Sequence, residues 1–149
     1  ADEVINVKHG TRAGDLTADK IKLIDDVPTL GARPGKARRN ARKKTPLEGP
    51  GGFYTARGNE GAFFGTDRLP HQIGLTIPKG SKYVDLSQTG MKTDVMAKGD
   101  LQKFYQDGYD YIIGRNIVGA EEILPLNPEI LKSFKYNYLR GGVRRRKRK

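Results

Sequence analysis

Three short pieces of this 149-residue chain carry side chains with chemical uses beyond packing. His9-Gly10-Thr11 follows the alternating stretch EVINVK; Gly52-Phe53-Tyr54-Thr55-Ala56 holds two adjacent aromatics, with a second pair, Phe63-Phe64, shortly after; and Glu121-Glu122-Ile123-Leu124 sets two carboxylates before an apolar pair. The aromatics of LEGPGGFYTARGNEGAFFG, residues 47–65, are either the packing of a hairpin edge or the walls of a pocket for something flat, because ring faces offer both area and attraction for cationic heterocycles. If 121–124 is a strand, Glu121 and Glu122 point to opposite faces, so only one of them reaches a given cleft. His9 and His71 are the only histidines, and with a carboxylate they are the minimum for metal-free acid–base cleavage of RNA. The absence of cysteine excludes disulfides, thiolate zinc sites and thiol catalysis, and two histidines are too few to argue for zinc held through imidazole. No Gly-x-Gly-x-x-Gly follows a strand, so neither a dinucleotide-binding turn of that kind nor a P-loop is expected.

The elements that must position these groups are those of an α+β chain. Glycine is frequent at 19 residues, proline numbers 8, and the 12 aromatics are all Tyr or Phe, a composition richer in turns and strands than a helical bundle. Residues 3–8 read as a strand with HGT as its exit turn, and TADKIKLIDD (17–26) as a short helix with Thr17 as N-cap. Further strands are expected at 52–56, 72–78, 82–87, 109–114 and 121–126. A short helix fits 59–65, and Leu101, Phe104 and Tyr105 recur at helical spacing within 97–107. Residues 127–139 form a last helix or strand-like extension opened by Asn127-Pro128. The order predicts two small, mostly antiparallel sheets packed together with a few helices. No apolar run reaches the length of a membrane span, and no secretory signal pattern is present, so no membrane role is expected.

Charge is concentrated in two arms. Arg33, Lys36, Arg38, Arg39, Arg42, Lys43 and Lys44 lie in residues 31–46, and Arg140, Arg144, Arg145, Arg146, Lys147, Arg148 and Lys149 in residues 140–149, neither with an acid. Elsewhere 14 basic residues face 17 acidic ones, so the formal +11 is two arms on a mildly acidic body of net −3. Such arms point to a polyanionic partner, since each neutralised phosphate releases counterions, although a basic tail can also be a solvated end. The expected organisation is one unit over 1–139, with a basic loop at 31–46, followed by a basic tail at 140–149.

Taken in order, His9-Gly10-Thr11, Gly52-Phe53-Tyr54 with its later aromatics, and Glu122-Ile123-Leu124 resemble the His-Tyr-Glu branch of the ADP-ribosyltransferase family, which includes diphtheria-type toxins and poly(ADP-ribose) polymerases. The resemblance spans residues 7 to 124 and implies that family's split pair of sheets, with NAD as substrate and no metal. It assigns Glu122 the role of stabilising the oxocarbenium-like ribose of the transition state and of orienting the acceptor. It assigns His9 a hydrogen bond to one of the two ribose groups, and Gly10, beside Thr11, a backbone grip on the carboxamide. Tyr54 becomes the stacking platform for nicotinamide. The family's second tyrosine is here replaced by Phe63 or Phe64, which keeps the ring and loses the hydroxyl. Arg12 and the 31–46 arm are then candidates for the NAD diphosphate or the acceptor.

The resemblance implies a mono-ADP-ribosyltransferase, and more narrowly a bacterial toxin module. Size and the lack of an initiator methionine fit the last module of a larger secreted effector of Rhs or contact-dependent inhibition type, acting in the target-cell cytoplasm. An acidic immunity protein is the expected partner. The two arms, with Tyr136 and Tyr138 just before the second, favour RNA over protein as acceptor. The competing expectations are a non-enzymatic RNA-binding protein of ribosomal character and a metal-independent ribonuclease toxin using His9 and His71.

Overall fold

The computed structural model describes residues 2–11, 17, 21–24, 27–29, 52–57, 71–93 and 96–138. Arg12, Phe63, Phe64, the basic segment 31–46 and the tail 140–149 lie outside the described residues, as does the helix expected over 59–65.

The described chain is a mixed α+β arrangement of two small sheets, one short ribbon and few helices. β1 (Ile5–Thr11) alternates through its middle: Val7 and His9 are buried while Asn6 is exposed and Lys8 half-buried. That period of two is what lets a strand bury one face. β5 (His71–Ile77) repeats the pattern with Ile73, Leu75 and Ile77, and the two strands pair antiparallel with Val7 opposite Leu75 and His9 opposite Ile73. β4 (Ala56–Arg57) and β9 (Lys135–Tyr138) flank them, in the order β4-β1-β5-β9. His9-Gly10-Thr11 is therefore not the exit turn expected from sequence. It is the last part of β1, because β5 supplies ladder partners along the whole strand, as far as Thr11↔His71.

The second sheet joins β6 (Tyr83–Asp85), β7 (Tyr111–Arg115) and β8 (Glu121–Pro125). β6 and β7 run parallel, the exception to a mostly antiparallel expectation, and the helix α1 (Lys98–Gln106) lies on the crossover that a parallel pair requires. The β7–β8 hairpin turns through Asn116, whose N–H bonds the Ala120 carbonyl at 3.0 Å, with Gly119 at φ 89°. A residue with a Cβ adopts that left-handed backbone only at a cost.

The helix expected over 17–26 is not what the described residues form: Lys22–Ile24 is β2, paired antiparallel with β3 (Val27–Thr29). Two residues separate these strands, a hairpin spacing, and antiparallel pairing outweighs the weak helical periodicity of Ile21 and Ile24. For 127–139 both sequence alternatives occur in turn. Asn127 Oδ1 accepts the Glu129 N–H at 2.9 Å to cap a 3-10 helix over Pro128–Ser133, and Ser133 Oγ then accepts the Thr76 N–H at 2.7 Å, setting β9 down beside β5.

The buried side chains form two clusters. Val7, Ile73, Leu75 and Ile77 of the first sheet meet Tyr111, Ile113 and Ile123 of the second, with Phe53 and Ile130. Ile112, Leu124, Leu86, Met96 and Leu101, on the other face of the second sheet, pack with Val27. Adjacent residues thus serve different clusters: Ile123 the first, Leu124 the second.

Candidate functional site

The segment 53–57 stitches the two sheets together. Thr55 and Ile123 exchange backbone hydrogen bonds at 3.0 and 2.8 Å, and Thr55 Oγ1 adds a third to the Ile123 carbonyl at 2.7 Å. From the very next residue the same segment, now β4, pairs with β1 through Ala56↔Lys8 and Arg57↔Val7. A strand is expected from sequence over 52–56; the regular strand is only Ala56–Arg57, and the residues before it form the junction between sheets. Gly52 passes so close to β8 that a Cβ there would lie 2.5 Å from Leu124 Cδ2, which explains a glycine at this point.

The Thr55↔Ile123 pairing sets the site's faces. Carried one residue each way, it puts Tyr54 opposite Leu124 and Ala56 opposite Glu122, so Tyr54 and Glu122 are diagonal neighbours on one face, a separation of about 7 Å between strands. Tyr54 packs on the cluster containing Leu124 and Leu101, as that register requires. The β1–β4 register, extended likewise, puts Gly10 opposite Tyr54 on this same face.

The two neighbouring carboxylates have separate partners. Glu121 takes two hydrogen bonds from Arg57, Nε to Oε1 at 2.9 Å and Nη2 to Oε2 at 2.7 Å, and this contact holds the Arg57 guanidinium above its ordinary pKa. Glu122 is buried on the opposite face: Thr93 Oγ1 donates to Oε1 at 2.5 Å and Asn116 Nδ2 to Oε2 at 3.3 Å. Asn116 is itself fixed, since its Oδ1 accepts the Ala120 N–H at 3.0 Å. A carboxylate with both oxygens engaged by buried donors is held in one orientation, the property asked of a group that must stabilise positive charge at a fixed point. Thr93 and Asn116 are not among the site residues expected from sequence. Asn116 belongs to a recognisable hairpin connection ending in Gly119; nothing local marks Thr93.

His9 lies on the face of β1 that carries Val7. Its ring is 4.6 Å from that of Phe53, tilted by 30°, and its Nδ1 is 2.6 Å from the Tyr54 carbonyl oxygen. A carbonyl only accepts, so Nδ1 carries a proton and donates. The histidine thereby braces the backbone from which the Tyr54 ring projects. His9 sits opposite Ile73, so His71, two residues before Ile73, is its diagonal neighbour on the same face. His71 Nδ1 contacts the Tyr136 hydroxyl. The side chain of Thr11 lies outside the described residues.

A groove of about 530 Å³ lies near the opposite end of β1, bordered by Asp2, Glu3, Ile5, Arg57, Tyr83 and Tyr111. Four residues separate Ile5 from His9, about 13 Å along a strand, so this groove is distinct from the His9–Tyr54–Glu122 junction. Among the described residues no three His, Cys, Asp or Glu side chains gather where they could hold a metal.

No protein-family model, curated protein or solved structure matches this chain, so its own geometry carries the functional reading.

Proposed function

We propose that this chain is a mono-ADP-ribosyltransferase of the His-Tyr-Glu kind, its two sheets being that family's split sheet, which transfers ADP-ribose from NAD to a macromolecular acceptor, RNA in preference to protein. The observation that carries the reading is the buried Glu122 carboxylate, oriented by Thr93 and Asn116, one strand from Tyr54 and on the same face. In this reading nicotinamide stacks on the Tyr54 ring, with the Gly10 backbone beside it. As the bond from nicotinamide to ribose C1′ breaks, charge develops on the ribose and Glu122 stabilises it. An acceptor hydroxyl or terminal phosphate of RNA then bonds to C1′ as nicotinamide leaves, and any proton released passes to solvent. His9 holds the Tyr54 backbone through Nδ1 and keeps the ribose-binding role expected of it from sequence. Arg12, Phe63, Phe64, the 31–46 arm (Arg33, Lys36, Arg38, Arg39, Arg42, Lys43, Lys44) and the tail arginines Arg144, Arg145 and Arg146 keep the NAD- and nucleic-acid-binding roles expected of them from sequence. The reading extends to a delivered bacterial toxin module captured by an acidic immunity protein, for which the net +11 is the complementary charge.

The test is nicotinamide release from NAD by the purified protein. Glu122→Gln keeps the shape and one donor–acceptor pair but removes the charge, and is expected to slow release by about 100-fold or more. Equal rates for the two proteins end the assignment.

One observation favours a second reading. His9 and His71 lie diagonally on one face, about 7 Å apart between strands, close enough to flank a phosphodiester as base and acid. RNA shortened in the absence of NAD, and spared by His71→Ala, would replace the transferase with a ribonuclease.

A further inference from the structure

β9 is the outer strand of its sheet, yet all four of its residues are exposed and two are tyrosines. The register puts Tyr136 opposite Ile73 and Tyr138 opposite His71, so both tyrosines and His71 share the face of the sheet that carries His9. The three rings form one cluster. The His71 ring lies 5.7 Å from Tyr136, within 24° of parallel, and 5.0 Å from Tyr138 at 36°. Tyr136 is 46% and Tyr138 40% exposed, so much of each side chain is open to solvent. A row of ring faces on a sheet surface is the kind of platform on which successive nucleobases stack, and it tolerates sequence because every base has a π-face.

Charge selects the occupant. Lys132, ion-paired with Glu129 at 2.8 Å, precedes β9 and Lys135 opens it, and Arg140 follows Tyr138 by two residues in sequence. Seven basic residues and no acid occupy 140–149. A second copy pairing along the β9 edge would bring these like charges together, whereas a polyanion neutralises them. Bases of a duplex are already stacked on one another and present no free faces, so the fit is to an unpaired strand.

We infer that Tyr136, Tyr138 and His71 form the stacking platform for a stretch of single-stranded RNA. The platform lies on the His9 face of the sheet, two strands and about 10 Å from β1, and a strand held there would serve as the acceptor. That last step rests on the transferase reading; the binding itself does not, because it is measured without NAD.

The experiment is fluorescence anisotropy of a labelled 12-nucleotide single-stranded RNA with the full chain, at about 150 mM salt and over a salt series. Tyr136→Ala/Tyr138→Ala is expected to weaken binding by about tenfold or more, while Tyr136→Phe/Tyr138→Phe, which keeps the rings, stays within about threefold of the parent. The slope against salt should be unchanged in both, since no charge is altered. Thermal unfolding checks that the variants fold; should the alanine pair not fold, photocrosslinking of a 4-thiouridine-containing strand to the parent protein, mapped by mass spectrometry, must mark Tyr136 or Tyr138. Unchanged binding by a folded alanine variant overturns the platform, as do crosslinks elsewhere only, a duplex binding as tightly as the single strand, or a dimer that the alanine variant dissolves. With NAD added, the label found in RNA per nicotinamide released should fall in the alanine variant. Absent nicotinamide release with intact RNA binding removes the transferase reading and leaves the platform standing.

Discussion

Glu121 and Glu122 are adjacent and chemically identical, but Arg57 binds the first on one face while Thr93 and Asn116 hold the second inside the protein. The difference in role follows from strand alternation combined with which donors the fold delivers to each face. Thr93→Val keeps the shape and deletes the donor, leaving Glu122 Oε1 short of that partner; we expect a loss of about 1–3 kcal/mol in chemical denaturation and slower nicotinamide release. Thr93→Ser, which keeps the hydroxyl, should recover most of the rate. Tyr111 gives a pH prediction. Burial, then the neighbouring Tyr83, raises the Tyr111 phenol above its ordinary pKa. The unfolded chain therefore ionises this group first, and stability falls as pH rises beyond about 10 toward the folded value. Unfolding midpoints between pH 9 and 11 should show this decline, and Tyr111→Phe should flatten it.

Among the elements, β5, β7, β8 and α1 form close to where residue pattern predicts, because each buries a clear apolar face against a neighbour. β2 and β3 do not, since a short run with both helical and strand character takes whichever partner the tertiary structure offers. The β7–β8 hairpin also holds Glu122 through its spacing to the Thr93 segment. A Cβ on Gly114, opposite Glu122, would stand 2.6 Å from Thr93 Cγ2. Thr93 is short and its hydroxyl is engaged, so it has little room to give. Gly114→Ala is therefore expected to cost about 1–3 kcal/mol and to displace Thr93 from Glu122, lowering nicotinamide release beyond what the stability loss explains. Gly52→Ala meets the flexible end of Leu124 and should be milder for the same nominal overlap. Thermal melts of both variants, with rates measured well below the melting range, compare the two.

At the scale of the molecule, the charge is carried in two short stretches while the remainder is near neutral. Deleting 140–149 removes seven basic residues and no acid, taking the formal charge from +11 to +4. If those residues meet RNA phosphates, the slope of log binding constant against log salt should become shallower by up to about 5, from roughly 0.7 per phosphate contact on a single strand. Nicotinamide release should change far less. A deletion that leaves the salt slope untouched would assign the tail some other use.

The sequence by itself determined what the chain is made to do chemically: no thiol, two histidines, aromatics in adjacent positions, charge gathered in two arms, and the periodicity of the longer elements. Those are properties of residue type and of spacing over a few residues, which local geometry converts into faces. The tertiary structure decided which groups meet. Thr55 bonds Ile123 across 68 residues and Thr93 bonds Glu122 across 29. It also paired Lys22–Ile24 with Val27–Thr29 as a ribbon and brought His9, His71, Tyr136 and Tyr138 to one face. Contacts of that range depend on which strand pairs with which and in what register, and a one-residue slip would reverse every face named here.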